Sequence, residues 1–214
     1  MKFLNGIVFV AGMAVANAAS IPGLFNTGVD DSNALLPGGA NDTHWTVTYN
    51  AGSTTAPAVA DDVIFGGCCG LAPWMTNGPN SKWISIANAE FVPSGIVDYD
   101  IMFSLNGFDP ASASITGGMA ADGGVLDVLI NGVSTVQSTG FNTWDHFTSF
   151  AVNSGFQSGV NVLRFVVNHE DGDFDAFRAE LGGTANVSAN APEPASLILM
   201  GVGLTFAGVL KKRR

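Results

Sequence analysis

The densest group of ligand-capable side chains in this 214-residue chain is the run HEDGDFDAF, in which Glu170, Asp171, Asp173 and Asp175 place carboxylates at nearly alternate positions. A calcium loop begins in this way, because a hard cation gathers about six to eight oxygens from closely spaced Asp and Glu. An EF-hand loop started at Asp171 needs Gly at 176 and Glu at 182, and the chain has Ala176 and Gly182. That motif fails, which leaves a looser calcium site in competition with a solvated acidic tip. Asp30, Asp31 and Asn33 form a second oxygen-rich stretch, where calcium binding competes with plain Asx-turn chemistry.

Sugar recognition asks for other groups: an aromatic face to stack on the apolar side of a ring, with amides or carboxylates nearby for the hydroxyls. Two stretches supply them. One is FNTWDHF, with Asn142, Trp144, Asp145 and His146; the other runs from Cys68 and Cys69 to Trp74. Trp144 serves equally well as a packed loop anchor. Trp74 stands in a Gly- and Pro-rich loop with no periodicity to hide it and is expected to be exposed, whereas Trp45 and Trp83 fall in strands and belong in the core. Catalytic sets are missing from the pattern. His44, His146 and His169 lie on different elements, no Ser sits on a nucleophile elbow and no His-Glu run suits zinc, so the expectation is not an enzyme.

The two cysteines, Cys68 and Cys69, are neighbours. Adjacent Cα atoms lie about 3.8 Å apart, below the usual disulfide range, so a bond between them needs a strained turn. Three readings stay open: a vicinal disulfide eased by the flanking glycines, intermolecular pairing, or two buried thiols.

The elements that must position these groups are strands. Thr43 to Tyr49 alternates polar and apolar residues, as do Ile96 to Leu105, Ala113 to Ala121 and Gly124 to Ile130. Shorter strands are expected at Val63 to Phe65, Lys82 to Ile86, Thr148 to Val152, Leu163 to Asn168 and Phe177 to Leu181, with Ala51 to Ala60 read as a loop. Asn131-Gly132 between VLDVLI and VSTV is a hairpin signal, because both residues tolerate the positive φ of a type I′ turn. No helical period runs between Ala19 and Asn190. The fold class is all-β, an antiparallel β-sandwich flanked by an N-terminal signal helix and a C-terminal single transmembrane helix.

Those flanks organise the chain. Residues 1–18 (MKFLNGIVFVAGMAVANA) have one cation, a short apolar run and a small-residue ending, which is a secretory signal peptide cut near Ala19. Residues 19–185 form the β-sandwich domain and 186–191 a linker. Residues 192–214 combine Pro192-Glu193-Pro194, an apolar run at 195–210 and the basic end Lys211, Lys212, Arg213 and Arg214. Sixteen helical residues reach about 24 Å, a marginal span whose cations stay on the cytoplasmic side. Without its ends the domain holds seventeen acidic residues against Lys82, Arg164 and Arg178. Such a charge repels nucleic acid, excludes a basic-patch binder and suits neutral sugars or divalent cations.

The order triplet, apolar run, basic end resembles the PEP-CTERM sorting tail of Gram-negative bacteria. The resemblance implies export through the Sec translocon, an inner-membrane precursor held by its tail, and processing near the triplet by an exosortase. It further implies a destination at the cell surface or in the extracellular matrix, in a setting of exopolysaccharide. The stretch from Ala121 to Asn168, carrying Asp122, Asn131-Gly132, Phe147, Gly159, Asn161, Leu163 and Val166-Val167, resembles the galactose-binding-like jelly roll of carbohydrate-binding modules. That second likeness implies carbohydrate binding, with a structural calcium held by Asp30, Asp31 and Glu180.

Overall fold

The computed structural model describes residues 17–50, 55–61, 74–86, 94–141, 143–169 and 176–188. Among them are eleven strands: β1 (Ala18–Ser20), β2 (Asn41–Tyr49), β3 (Ala56–Ala60), β4 (Ile84–Ser85), β5 (Gly95–Ser104), β6 (Ser114–Ala121), β7 (Val125–Ile130), β8 (Val133–Ser134), β9 (Thr148–Val152), β10 (Val160–His169) and β11 (Phe177–Asn186). Every pairing is antiparallel, in the order β8-β7-β10-β5-β2-β3-β4-β11-β6-β9 with β1 on β11. One 3₁₀ turn, Pro110–Ser112, links β5 to β6; Asp109 caps it by accepting from the Ala111 N–H.

The path folds over on itself. Phe150 on β9 and Phe165 on β10 stand far apart in strand order, yet their ring centroids lie 5.3 Å apart. Phe165 also meets Phe177 of β11 at 4.9 Å, and Trp45 of β2 meets Phe177 at 5.8 Å. One face of β2, β5, β7 and β10 therefore lies against one face of β6, β9 and β11. The alternation read from sequence produces this directly: along β10, Leu163, Phe165 and Val167 are buried, while Arg164 and Val166 turn outward. Outward Arg164 bonds Asp100 in bidentate fashion at 2.7 Å and Asp98 at 2.8 Å, a cross-strand ion pair on the outer face.

The hairpin between β7 and β8 turns at Asn131 (φ 53°) and Gly132 (φ 79°), as its sequence demands. Three expectations need correction. The stretch ending at Ala60 holds β3, whose small residues Ala58 and Ala60 pack inward and give little periodic signal. Only Ile84–Ser85 of the expected Lys82 to Ile86 strand is β structure. Finally, β11 runs five residues past Leu181 because β6 pairs with it through Gly182, Gly183 and Thr184 and β1 through Thr184 to Asn186; a Cβ on Gly183 would meet the Ser114 carbonyl at 2.8 Å. The expected Val63 to Phe65 strand, both cysteines, residues 1–16 of the expected signal segment and the expected transmembrane segment lie outside the described residues, whereas Ala18, expected to end the signal segment, begins β1. Among those described, no helix is long and apolar enough to cross a membrane.

Candidate functional site

The two ends of the sheet path, β8 and β9, approach each other without pairing as strands. Between them lies a cleft of about 320 Å³ lined by Ile130, Val133, Ser134, Thr135, Gln137 and the segment 151–155. Its walls are fixed by side-chain amides. Gln137 takes the place of a neighbouring strand: its Oε1 accepts from the Ala151 N–H at 2.8 Å and its Nε2 donates to the Ala151 carbonyl. Asn131 donates to the Gly155 carbonyl at 2.9 Å and to Asn161 Oδ1 at 2.8 Å, while buried Asn161 donates to the carbonyls of Gln157 and Gly159. These bonds satisfy the turn carbonyls and hold both lips of the cleft in place.

No lining residue is ionisable at neutral pH. Ser114 donates to Asn153 Oδ1 at 2.7 Å, which leaves the Asn153 amide N–H groups, with the Ser134 and Ser154 hydroxyls, to meet a guest. Val133 and Ile130 add an apolar wall. The lip carries a strained backbone: Val136 is 90% exposed and sits at φ 60°, a left-handed conformation that a β-branched residue resists. Replacing Val136 with Asn, which tolerates this region, is expected to raise stability by about 1 kcal/mol, read as a higher urea midpoint at unchanged slope.

The Trp144 stretch lies at the opposite end of β6 and β9, where Met119 pairs with Thr148. Trp144 and Trp74 come together there, for the Met75 N–H donates to the Trp144 carbonyl at 2.7 Å. Trp74 is not exposed, contrary to expectation. It is 8% exposed and packs edge-on against fully buried Trp83 at 4.9 Å, in a second small core with Ala120 and Ala176. Trp83 donates its indole N–H to the Met75 carbonyl at 2.8 Å, so a loop without periodicity still has a structural use for two tryptophans. Trp144 is half-buried against the same core, and beside it Asp145 and His146 are exposed and bonded to each other. Asn142 lies outside the described residues.

Asp30 behaves as an Asx turn. Its Oδ1 accepts from the Ser32 hydroxyl at 2.7 Å and from the N–H groups of Ser32 and Ala34, and these bonds hold its carboxyl below the usual range. Asp31 bonds His44 Nε2 at 2.9 Å, and the His44 ring stacks on Phe25. Glu180 is engaged elsewhere, accepting from Ser81 Oγ at 2.7 Å beside Arg178. Among the described residues no three His, Cys, Asp or Glu side chains are grouped to hold a metal ion; Asp171, Asp173 and Asp175 lie outside them.

Comparison with known proteins bears on the tail. Residues 190–214 match the PEP-CTERM protein-sorting motif, as the order of their parts implies. A tail of this kind indicates an exported precursor, anchored in the membrane and processed by an exosortase. No curated protein matches the chain. Solved structures similar to it include a family 35 carbohydrate binding module from an environmental isolate, at 13% identity and a TM-score of 0.31, covering 55% of this chain and 83% of that one. Another is the native family 35 module from Clostridium thermocellum, at 15% identity and 0.31, covering 51% and 83%.

Proposed function

We propose that this chain is an exported, non-catalytic cell-surface or matrix protein whose β-sandwich, of jelly-roll type, binds a neutral carbohydrate such as a stretch of exopolysaccharide. One observation carries the reading: the cleft between β8 and β9 is lined by hydroxyls, amides and aliphatic groups with no ionisable side chain. Neutral donors and acceptors match sugar hydroxyls, and aliphatic walls match the C–H faces of a ring. Its size is at the lower end for small-ligand sites, enough for one or two sugar units. With no carboxylate pair in it, the cleft has no acid or base for glycoside hydrolysis. The exposed Asp145–His146 pair beside Trp144, at the other end of the sandwich, is the rival contact surface that the test below separates from the cleft.

A glycan array, followed by calorimetry on the best hit, tests the proposal. Asn153→Ala and Ser154→Leu are expected to weaken binding at least tenfold, and Trp144→Ala to leave it within about twofold. If Trp144→Ala abolishes binding while both cleft variants retain it, the loop is the site and the cleft reading is overturned. If no neutral glycan binds the folded wild type, the protein is a structural surface protein with no small ligand.

A further inference from the structure

The described body ends at Ser188, whose N–H donates to the Gly107 carbonyl at 2.9 Å, next to the bridge between Phe108 and Val187. The last described residue thus lies beside the link from β5 to β6. Three residues before Gly107, no more than about 11 Å along the backbone, Ser104 forms one wall of a shallow groove of about 490 Å³. The other walls are Pro22, Gly23, Met102, Phe103 and Val160. Met102 is 63% exposed and Val160 59%, and none of the six carries a charge. Single exposed apolar residues are ordinary; here two stand together in one uncharged groove on an otherwise acidic domain, beside the last described residue.

The tail indicates what this groove meets. Six residues separate Ser188 from Ala195, where the apolar run begins. Fully extended, that link reaches about 25 Å, so a chain anchored through 195–210 keeps the face at Ser188 within that distance of the headgroups. Tethering raises the effective concentration of face and lipid to about the millimolar range, at which a weak apolar contact is populated. The acidic faces are repelled by anionic headgroups, and the uncharged groove is not.

We infer that the groove formed by Met102 and Val160 rests on the lipid surface while the chain is still anchored by its tail. The inference stands on the sorting-tail reading and is independent of the sugar cleft, so loss of either leaves the other standing.

The test uses the full chain inserted at low copy number into vesicles of zwitterionic and anionic phospholipid that carry a headgroup-attached quencher. Met102→Cys, Val160→Cys and, as a remote control, Leu126→Cys are made with Cys68 and Cys69 replaced by Ser, and each is labelled with a polarity-sensitive fluorophore. The expected result is at least twofold stronger quenching at positions 102 and 160 than at 126. Equal quenching at all three positions overturns the inference, as does blue-shifted emission at 102 without quenching, which would place protein rather than lipid in the groove. Peroxide oxidation of Met102 in the unsubstituted chain gives a second readout: several-fold slowing on vesicle insertion supports the contact, and an unchanged rate refutes it.

Discussion

Replacing Arg178 with Ala is expected to cost about 3–5 kcal/mol of stability, the range for leaving partners of a buried charge without it. Arg178 on β11 is 2% exposed and, as a guanidinium, keeps its charge despite burial, which pulls its pKa down against the opposing pull of Glu180. Three groups compensate: Nε donates to Ser81 Oγ at 2.7 Å, Nη1 to the Thr76 carbonyl at 2.6 Å, and Nη2 lies 3.5 Å from Glu180 Oε1. The guanidinium also stands over the Phe147 ring at 5.1 Å. One side chain therefore ties the 74–81 segment, β11 and the loop carrying Trp144 together. The Ala variant strands the Thr76 carbonyl and opens a cavity. Arg178→Lys, unable to reach Ser81 and Thr76 in one fork, is expected to lose about half as much. Glu180→Gln should lose less still, because the carboxylate is partly exposed and its contact with the arginine is long. Urea unfolding of the three variants gives the ranking, and an Arg178→Lys midpoint equal to wild type would show the fork to be idle.

How much of this was legible beforehand depends on whether a feature is written locally. The alternation in β5 and β10, the Asn131-Gly132 turn and burial of Trp45 and Trp83 all follow from residues adjacent in sequence, and the structure shows them as expected. The second half of β11 was not legible. Gly182 and Gly183 have low strand propensity, and pairing with Thr116 and Ile115 of β6 holds them in the sheet regardless. Burial of Trp74 is hidden for a related reason: it comes from Trp83, nine residues on, and from Ala120 and Ala176, far away in the chain. The cleft was out of reach altogether. Its key contact joins Gln137 to Ala151 across two strand edges, and no periodicity announces a side-chain amide acting as a strand.

Acid should weaken the fold through a residue the site does not use. His169, at the end of β10, is 1% exposed, and burial lowers its pKa from 6.5 to about 3. Above pH 6.5 the imidazole is neutral in both states and its contribution to stability is complete. Between 6.5 and 3 the unfolded chain binds a proton that the folded chain refuses, so stability falls by about 1.4 kcal/mol per pH unit, on the order of 4 kcal/mol across the window. Burial raises the carboxyls of Asp42 and Asp98, which acts in the opposite sense: protonating them relieves a folded-state penalty, so they offset part of the loss near the low end of the window. His169→Gln separates the two effects, because it removes the imidazole and leaves both carboxylates. The difference between wild-type and variant unfolding free energies is expected to change by about 2–3 kcal/mol between pH 6.5 and 4.5. Parallel curves for the two proteins over that range would mean that His169 takes up its proton in the folded state as readily as in the unfolded one.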